Sequence, residues 1–253
     1  MHGVRGSALR AVMERRLLLS YRIEPDVVQA VLPPPFRPAL AGGYAVGSIC
    51  LIRLAGIRPA GPPSAAFGLR AENVAHRIAV LLDTAEGPVP SVYIPCRYTS
   101  SRLAALAGGL LFPGLRTARF DDDEQRGRYR ITAESRDGNM RIAVDARTVA
   151  SLPAGSVFAD LDEASRFFRL APAGYSATSA PGVFEGVTLE TSYREMHPLR
   201  VDAATSSFFD DPRLFPPGTA TVDSAFAGTG LATWRPLTPL RHACSPNGPA
   251  GNR

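Results

Sequence analysis

Residues 125–148, QRGRYRITAESRDGNMRIAVDART, show most clearly how this chain folds. Apolar and polar side chains alternate on both sides of Asp137-Gly138-Asn139, which is typical of two antiparallel strands joined by a tight turn. In the first of these strands, one face holds three side chains: Tyr129, Ile131 and Ala133. With strands expected over 125–136 and 139–148 and another over 114–121, the segment predicts a three-stranded antiparallel meander.

More extended runs lie on either side of this meander, separated by glycines and prolines, of which the chain has 23 each. They cover residues 13–23, 43–55, 74–83, 89–98, 183–194, 199–209 and 220–234. A short helix is expected after Glu24-Pro25-Asp26, because proline suits the first turn of a helix. A second is expected after Thr99-Ser100-Ser101, and a third after Asp160, with Glu163 completing a capping box.

The order of these elements indicates the fold class. About ten strands and three short helices, without regular strand–helix alternation, predict an α+β fold that is mainly antiparallel β. We expect a single domain over residues 12–240, with a sheet that curls into a barrel or forms two packed layers. Residues 1–11 and 241–253 are expected to be flexible termini.

The chain contains no lysine, since all 28 of its basic residues are arginine. Schiff-base formation and lysine general bases both need an ε-amine, so the sequence excludes this branch of chemistry. The net charge is +5, but the arginines are scattered among acidic residues and form no basic run. We therefore expect no nucleic-acid partner.

Known cofactor and targeting patterns are missing from the sequence. The three cysteines, Cys50, Cys96 and Cys244, include no C-x-x-C pair, so neither a disulfide framework nor a zinc site is indicated. There is no phosphate loop or dinucleotide fingerprint, and we expect no cofactor and no metal. No apolar run is long enough to span a bilayer, and no signal peptide is evident, so we expect a cytoplasmic protein without a membrane partner.

Three stretches resemble a known family: 21–38 (YRIEPDVVQAVLPPPFRP), 72–102 (ENVAHRIAVLLDTAEGPVPSVYIPCRYTSSR) and 206–223 (SSFFDDPRLFPPGTATVD). They are similar to the YqjF-like proteins, a bacterial family of the acetoacetate decarboxylase-like superfamily, and the similarity runs from about residue 13 to 236. The resemblance implies a curved antiparallel sheet that closes into a cone-shaped barrel around a ligand pocket. Superfamily relatives often form homo-oligomers, although the sequence itself predicts no interface.

In acetoacetate decarboxylase, a lysine that follows the strand corresponding to 91–98 forms a Schiff base with the keto acid. The matching segment here, 97–102 (RYTSSR), offers no amine. The resemblance therefore implies a pocket of the superfamily type without enamine decarboxylation.

Glu72 and His76 are the candidate catalytic residues. They share one face of an extended chain, about 13 Å apart at about 3.3 Å per residue, so both can line one cavity without touching. A histidine near neutral pKa can act as acid or base, and a carboxylate can take a second proton. The alternative is that His76 is a core histidine with satisfied hydrogen bonds and Glu72 is a solvated strand residue.

Candidate substrate-binding residues lie where a strand passes into a helix: Arg97, Tyr98, Ser100, Ser101 and Arg102. Guanidinium groups, hydroxyls and free amides at such a place can hold an anionic or carbonyl group. In the alternative interpretation, the hydroxyls cap the helix and the arginines pair with nearby acids. Arg16 is a further candidate because Arg15 and Arg16 resemble a basic position of the superfamily, although an arginine at a strand edge more often faces water.

Two other residue types have simpler interpretations. Cys50 and Cys96 lie in apolar strands, where small buried hydrophobic residues are expected more often than nucleophiles. Trp234, the single tryptophan, either walls a pocket or packs in the core.

We therefore predict a small-molecule enzyme with an internal pocket, acting without lysine as an acid/base lyase, isomerase, hydratase or cyclase. Its substrate would be a carbonyl or polyketide-like compound, as in secondary metabolism. The alternative is a non-catalytic carrier or sensor of a hydrophobic metabolite. A third interpretation is an interaction protein whose own side chains fill the interior.

Overall fold

The computed structural model describes residues 8–60, 68–108, 112 and 114–242. Over these residues it contains thirteen strands and three helices. The strands are β1 (Leu9–Ile23), β2 (Phe36–Pro38), β3 (Leu40–Ala41), β4 (Tyr44–Pro59), β5 (Leu69–Thr84), β6 (Gly87–Thr99), β7 (Leu115–Gln125), β8 (Arg128–Ser135), β9 (Arg141–Thr148), β10 (Ala173–Ala177), β11 (Val183–Ser206), β12 (Ala220–Pro236) and β13 (Leu240–Arg241). The helices are α1 (Pro25–Val31), α2 (Arg102–Gly108) and α3 (Leu161–Arg169).

The strands form one sheet in the order β10-β6-β7-β8-β9-β11-β12-β1-β4-β5-β2. The sheet closes on itself, because β6 also pairs with β5 and β10 also pairs with β11. Among the described pairings only β6–β7 and β6–β10 are parallel. The predicted α+β class with a mainly antiparallel, curved sheet is confirmed.

Local patterns of the sequence formed the expected elements in several places. In the meander β7–β8–β9, Ile131 and Ala133 are buried on one face, and Gly138 in the turn has a φ of 69°, which favours glycine. At the start of α3, the Asp160 carboxylate accepts a hydrogen bond from the Glu163 amide at 2.7 Å. The Glu163 carboxylate accepts one from the Ala159 amide at 2.6 Å, so the predicted capping box is present.

The structure differs from the expected elements in several places, and four short strands, β2, β3, β10 and β13, were not expected. β1 begins at Leu9, inside the segment that we expected to be flexible, because Leu9 pairs with Trp234 and Pro59 on two neighbouring strands. Residues 1–7 and 243–253 lie outside the described residues. The two strands expected over 183–194 and 199–209 are one strand, β11. Pro198 lies inside β11 although proline has no backbone N–H to donate. It is tolerated because the pairing of β11 with β9 begins one residue later, at Leu199.

The two faces of β1, β4 and β5 have different surroundings. One face packs into the main hydrophobic core through alternate residues: Leu17, Leu19, Ile49, Leu51, Val74 and Ile78. The residues between them, such as Arg16, Cys50 and Arg77, are directed to the opposite face. That second face holds the candidate site. No helix among the described residues has both the length and the apolar character needed to cross a membrane.

Candidate functional site

A cavity of about 670 Å³ lies against the second face of β1, β4 and β5, and its other walls come from β6, β10, β11, β12 and the end of α3. The walls are mainly apolar and include Ile52, Leu54, Ile94, Leu189 and Trp234. This volume is in the range of small-molecule sites. The side chains of the described residues leave this space open, which argues against the interpretation of a filled interior.

Three arginines enter this apolar wall from three strands of the same part of the sheet, in which β4 lies between β1 and β5: Arg16 on β1, Arg77 on β5 and Arg97 on β6. Strand register places them on one face. Arg97 lies opposite Ala75, and Ala75 lies opposite Cys50 of β4. Residues directly opposite one another in a sheet share a face. Arg16 and Arg97 are only 6% and 8% exposed, so both cations are largely removed from water.

None of these three guanidinium groups forms an ion pair with Asp or Glu among the described residues. Arg16 donates from Nε to the Cys50 sulfur at 3.3 Å and lies over the Tyr193 ring, 5.5 Å from its centre. Arg97 donates from Nη2 to Ser176 Oγ at 2.8 Å and lies 5.4 Å from the centre of the Phe112 ring. The Nε of Arg97 is buried without a hydrogen-bond partner among the described residues.

The cations destabilise one another in this setting. Burial and, to a smaller extent, the charge of Arg77 together lower the pKa of Arg97 to about 10. Burial also lowers the pKa of Arg77, where the nearby Cys50 opposes the shift and Arg16 adds to it. Buried cations normally have a carboxylate partner. An anion that enters the cavity would supply the negative charge that these arginines lack among the described residues.

Cys50 differs from an ordinary buried cysteine. It is 3% exposed and lies in the cavity wall. Burial raises the pKa of its thiol, but the charges and hydrogen bonds of Arg16 and Arg77 outweigh burial, so the pKa lies below its ordinary value. Cationic neighbours of this kind favour the thiolate.

The rim of the cavity also carries charge. Arg58 and Arg169 are exposed and contribute to its lining. Glu190 is the acidic residue among the described lining residues, and it is 62% exposed and pairs with Arg235 at 3.1 Å. The interior charge is therefore positive, and exposed arginines at the rim attract anions from solution.

The structure brings three of the predicted binding residues to the cavity, namely Arg16, Arg97 and Tyr98. The other three lie elsewhere. Ser101 caps α2 by accepting a hydrogen bond from the Ala104 amide at 3.1 Å. Ser100 is exposed and accepts one from the Glu72 amide at 3.0 Å. Arg102 is exposed in the first turn of α2. The helix-capping alternative thus describes Ser101 well.

Glu72 lies in an ion-pair network outside the cavity lining. Its carboxylate pairs with Arg15 and Arg53, and Arg53 also pairs with Glu124 at 2.9 Å. Arg15, at 4% exposure, pairs with Glu124 as well. Because Glu72 already holds two guanidinium groups, the geometry supports a structural role for it. The acid/base role predicted for Glu72 has no support from this position.

His76 is fully buried on the core face of β5 and does not line the cavity. Its Nε2 shares a hydrogen bond with Ser206 Oγ at 2.9 Å, and its Nδ1 approaches Cys96 Sγ at 3.0 Å. The ring lies beside Phe208 and Phe209. Burial lowers its pKa to about 3, so the imidazole is neutral at physiological pH. Glu72 and His76 do share a face, as expected, but neither of them lines the cavity.

In the part of the chain that the structure describes, no group of three or more His, Cys, Asp or Glu side chains is placed to hold a metal ion.

No protein-family model and no curated protein sequence matches the chain. Solved structures do. The acetoacetate decarboxylase of Legionella pneumophila aligns over 93% of this chain and 88% of its own, with a TM-score of 0.61 and 12% identity. The fold is that of acetoacetate decarboxylase. An acetoacetate decarboxylase-like enzyme from Sphingomonas wittichii aligns over 95% and 94% of the two chains, with a TM-score of 0.59 and 12% identity.

A third similar structure is the enduracididine biosynthesis enzyme MppR, complexed with the condensation product of pyruvate and imidazole 4-carboxaldehyde. It aligns over 94% of this chain and 90% of its own, with a TM-score of 0.58 and 10% identity. At such identities the comparisons show the acetoacetate decarboxylase-like fold alone. Membership of the YqjF-like family stays a prediction.

Sequence reasoning missed two residues of the cavity wall, Arg77 and Cys50, as site residues. The available signal was the alternation along β5 and β4. Arg77 falls on the opposite face from His76, and Cys50 lies between Ile49 and Leu51, which belong to the core face. A charged residue in the middle of a strand that is apolar on its other face indicates a polar interior site.

Proposed function

We propose that this protein is an enzyme that acts on a small molecule with a carboxylate and a carbonyl group, without lysine and without a cofactor. The observation that supports the proposal is the set of three cavity arginines, Arg16, Arg77 and Arg97, which have no acidic partner among the described residues. The reaction class is that of a lyase, isomerase, hydratase or cyclase whose chemistry passes through an enolate.

Binding follows from the charges and the walls together. A carboxylate that enters the cavity meets planar guanidinium groups with free donors, which suit two parallel hydrogen bonds. The surroundings are apolar, so these interactions are stronger than in water. The apolar walls formed by residues such as Ile94, Leu189 and Trp234 hold the rest of the substrate. An apolar acid is the ligand class that fits both features.

Catalysis follows from where negative charge develops. Removal of a proton next to a carbonyl group places charge on the carbonyl oxygen, and a fixed cation beside that oxygen lowers the barrier. Arg77 and Arg97 are fixed by strand register and need no rearrangement to do this. Among the lining residues with exchangeable protons, Cys50 lies beside Arg16 and Arg77, and Tyr193 lies beside Arg16.

Proton exchange tests the proposal directly. The protein is incubated in D₂O with 2-oxo-4-phenylbutanoate, and loss of the proton signal at C3 is followed by NMR. We expect exchange above the buffer rate, with at least a tenfold loss in Arg97→Met, because about 1.4 kcal/mol of stabilisation corresponds to a factor of ten. Arg130→Met is the matched control, since Arg130 is exposed on β8 and pairs with Asp145. Exchange that is equal in all three proteins would contradict the proposal.

A second candidate function is a non-catalytic carrier or sensor of an apolar acid. The observation in its favour is that neither Glu72 nor His76 lines the cavity, while most of the wall is apolar. Saturable binding of the same keto acid, followed through the fluorescence of Trp234, without proton exchange after long incubation would support this alternative over the enzyme.

A further inference from the structure

Cys50 lies at a point where two cations meet one sulfur atom. Arg16 donates a hydrogen bond to it at 3.3 Å, and Arg77 reaches it from β5. In register, Cys50 lies between Leu18 of β1 and Ala75 of β5, so the sulfur is held in the middle of the sheet. It is also part of the cavity wall, so a ligand in the cavity contacts it.

Cys96 provides a comparison within the same chain. It lies on β6 beside His76, outside the cavity lining, and burial raises the pKa of its thiol to about 11. Cys96 therefore fits the expected small buried residue that stays a thiol. At Cys50 the shift has the opposite direction because of the two guanidinium groups. The two cysteines both lie in apolar strands but differ in chemistry, because the surroundings favour the thiolate at Cys50 and the thiol at Cys96.

A second feature of the cavity indicates which ligand this sulfur meets. Arg97 lies on the strand next to β5, and Ala75 stands between it and Cys50 in register. The Nε of Arg97 is buried in the same cavity and has no hydrogen-bond partner among the described residues. Because Ala75 is small, the space between the sulfur and the cation is left to the ligand. A ligand with an anionic group therefore places its neighbouring carbons near Cys50.

We propose that Cys50 is a nucleophile that adds reversibly to conjugated carbonyl compounds that carry a carboxylate. This inference rests on the proposed function and narrows its substrate class to enone or enoate acids. The Cys50 sulfur forms a bond to the β-carbon, the carbon–carbon π bond breaks, and its electron pair moves to the carbonyl oxygen as an enolate.

The cations of the cavity stabilise that enolate. It then either takes a proton at the α-carbon or reverses and expels the thiolate. After rotation about the former double bond, the same reversal gives the other geometric isomer. No oxidant or reductant takes part. Reversal regenerates the thiolate, whereas protonation of the α-carbon by water leaves the thioether adduct on Cys50 until that proton is lost again.

The test uses 4-oxo-4-phenylbut-2-enoate and its methyl ester as probes, with a Cys244→Ser background and peptide mass spectrometry to locate the adduct. Each rate is divided by the rate of the same probe with glutathione. We expect one adduct, on Cys50, with the acid at least tenfold faster than the ester. The rate should reach its plateau at a lower pH than the rate with glutathione, because the two guanidinium groups lower the pKa of the Cys50 thiol. Cys50→Ser abolishes the adduct, Arg77→Met slows it at least tenfold, and Cys96→Ser leaves it unchanged.

Two results overturn the inference. In the first, Cys50 reacts with the probes only after the protein is unfolded in urea. In the second, the acid probe reacts no faster than its methyl ester once each rate is divided by the rate with glutathione. The saturated analogue, 4-oxo-4-phenylbutanoate, separates this failure from failure of the proposed function. If the analogue quenches Trp234 equally in the parent protein and in Cys50→Ser while no adduct forms, only the nucleophile is disproved. If the analogue does not bind either protein, the proposed function fails as well.

Discussion

Replacement of Arg97 by methionine should make the ligand-free protein more stable. Arg97 is 8% exposed and has no acidic partner among the described residues, so folding removes its charge from water without full compensation. Burial lowers its pKa to about 10, against about 12.5 or more for a solvated guanidinium. At about 1.4 kcal/mol per pH unit, the charged form is disfavoured by about 3 kcal/mol in the folded protein at neutral pH. Arg97→Met removes this penalty and keeps most of the side-chain volume.

The substitution also removes favourable contacts, which reduce the gain. The hydrogen bond to Ser176 and the contact with the Phe112 ring together contribute about 1–2 kcal/mol. Ser176 keeps its other hydrogen bond, which it donates to the Ile94 carbonyl oxygen at 2.9 Å. The net expectation is about 1–2 kcal/mol of added stability. For a chain of this size that raises Tm by about 4 °C.

Urea unfolding followed through Trp234 measures the effect at pH 7 without ligand. Arg130→Met is the control, because Arg130 is 53% exposed and its loss should change stability by less than about 0.5 kcal/mol. If Arg97→Met lowers the free energy of unfolding by more than about 1 kcal/mol, Arg97 stabilises the fold. The reasoning that this charge is kept for a ligand would then be refuted.

Three other predictions concern His76, Glu72 and Ala75, which lie on the strand β5. The folded pKa of His76, about 3, lies below that of an unfolded histidine, about 6.5, so the unfolded state takes up the proton first as pH falls. The contribution of His76 to stability is therefore complete above pH 6.5, and the free energy of unfolding falls by about 2 kcal/mol between pH 6.5 and 5. Urea unfolding of His76→Gln should lack this pH-dependent decrease. Glu72→Gln leaves Arg15 with one carboxylate partner fewer and should reduce the free energy of unfolding by about 3 kcal/mol. Calorimetry should show that the variant binds apolar acids as tightly as the parent protein does. Weaker binding would indicate that Glu72 belongs to the ligand site. Ala75→Leu places a larger side chain between Cys50 and Arg97 and should abolish the ligand-induced rise in Tm, and a rise equal to that of the parent protein would show that ligands bind elsewhere.

The meander and the helix caps could be predicted because they depend on local sequence. Alternation around Ile131 fixes which side chains are buried, and Asp160 with Glu163 marks a helix start wherever it occurs. The strand β11 could not be predicted at its full length, because Pro198 looks like a break unless one knows that the pairing with β9 begins one residue later.

The site was predicted only in part for a similar reason. Arg16, Arg97 and Tyr98 were selected and do line the cavity. Glu72 and His76 were selected on a shared face, and that much is correct, but both faces of β5 are covered in the folded chain. Which face borders the cavity depends on how β10 joins β6 to β11, and no local pattern contains that information. Arg77 was passed over because it belongs to the other face.

The central claim is that the cavity selects an anion. Calorimetric titration with 4-phenylbutanoate and with 4-phenylbutanamide tests it most directly, because the two ligands share the apolar part and differ in charge. We predict that the carboxylate binds at least tenfold more tightly than the amide, about 1.4 kcal/mol, and that Arg97→Met removes most of this preference. Equal affinity for the two ligands in the unsubstituted protein would contradict the account.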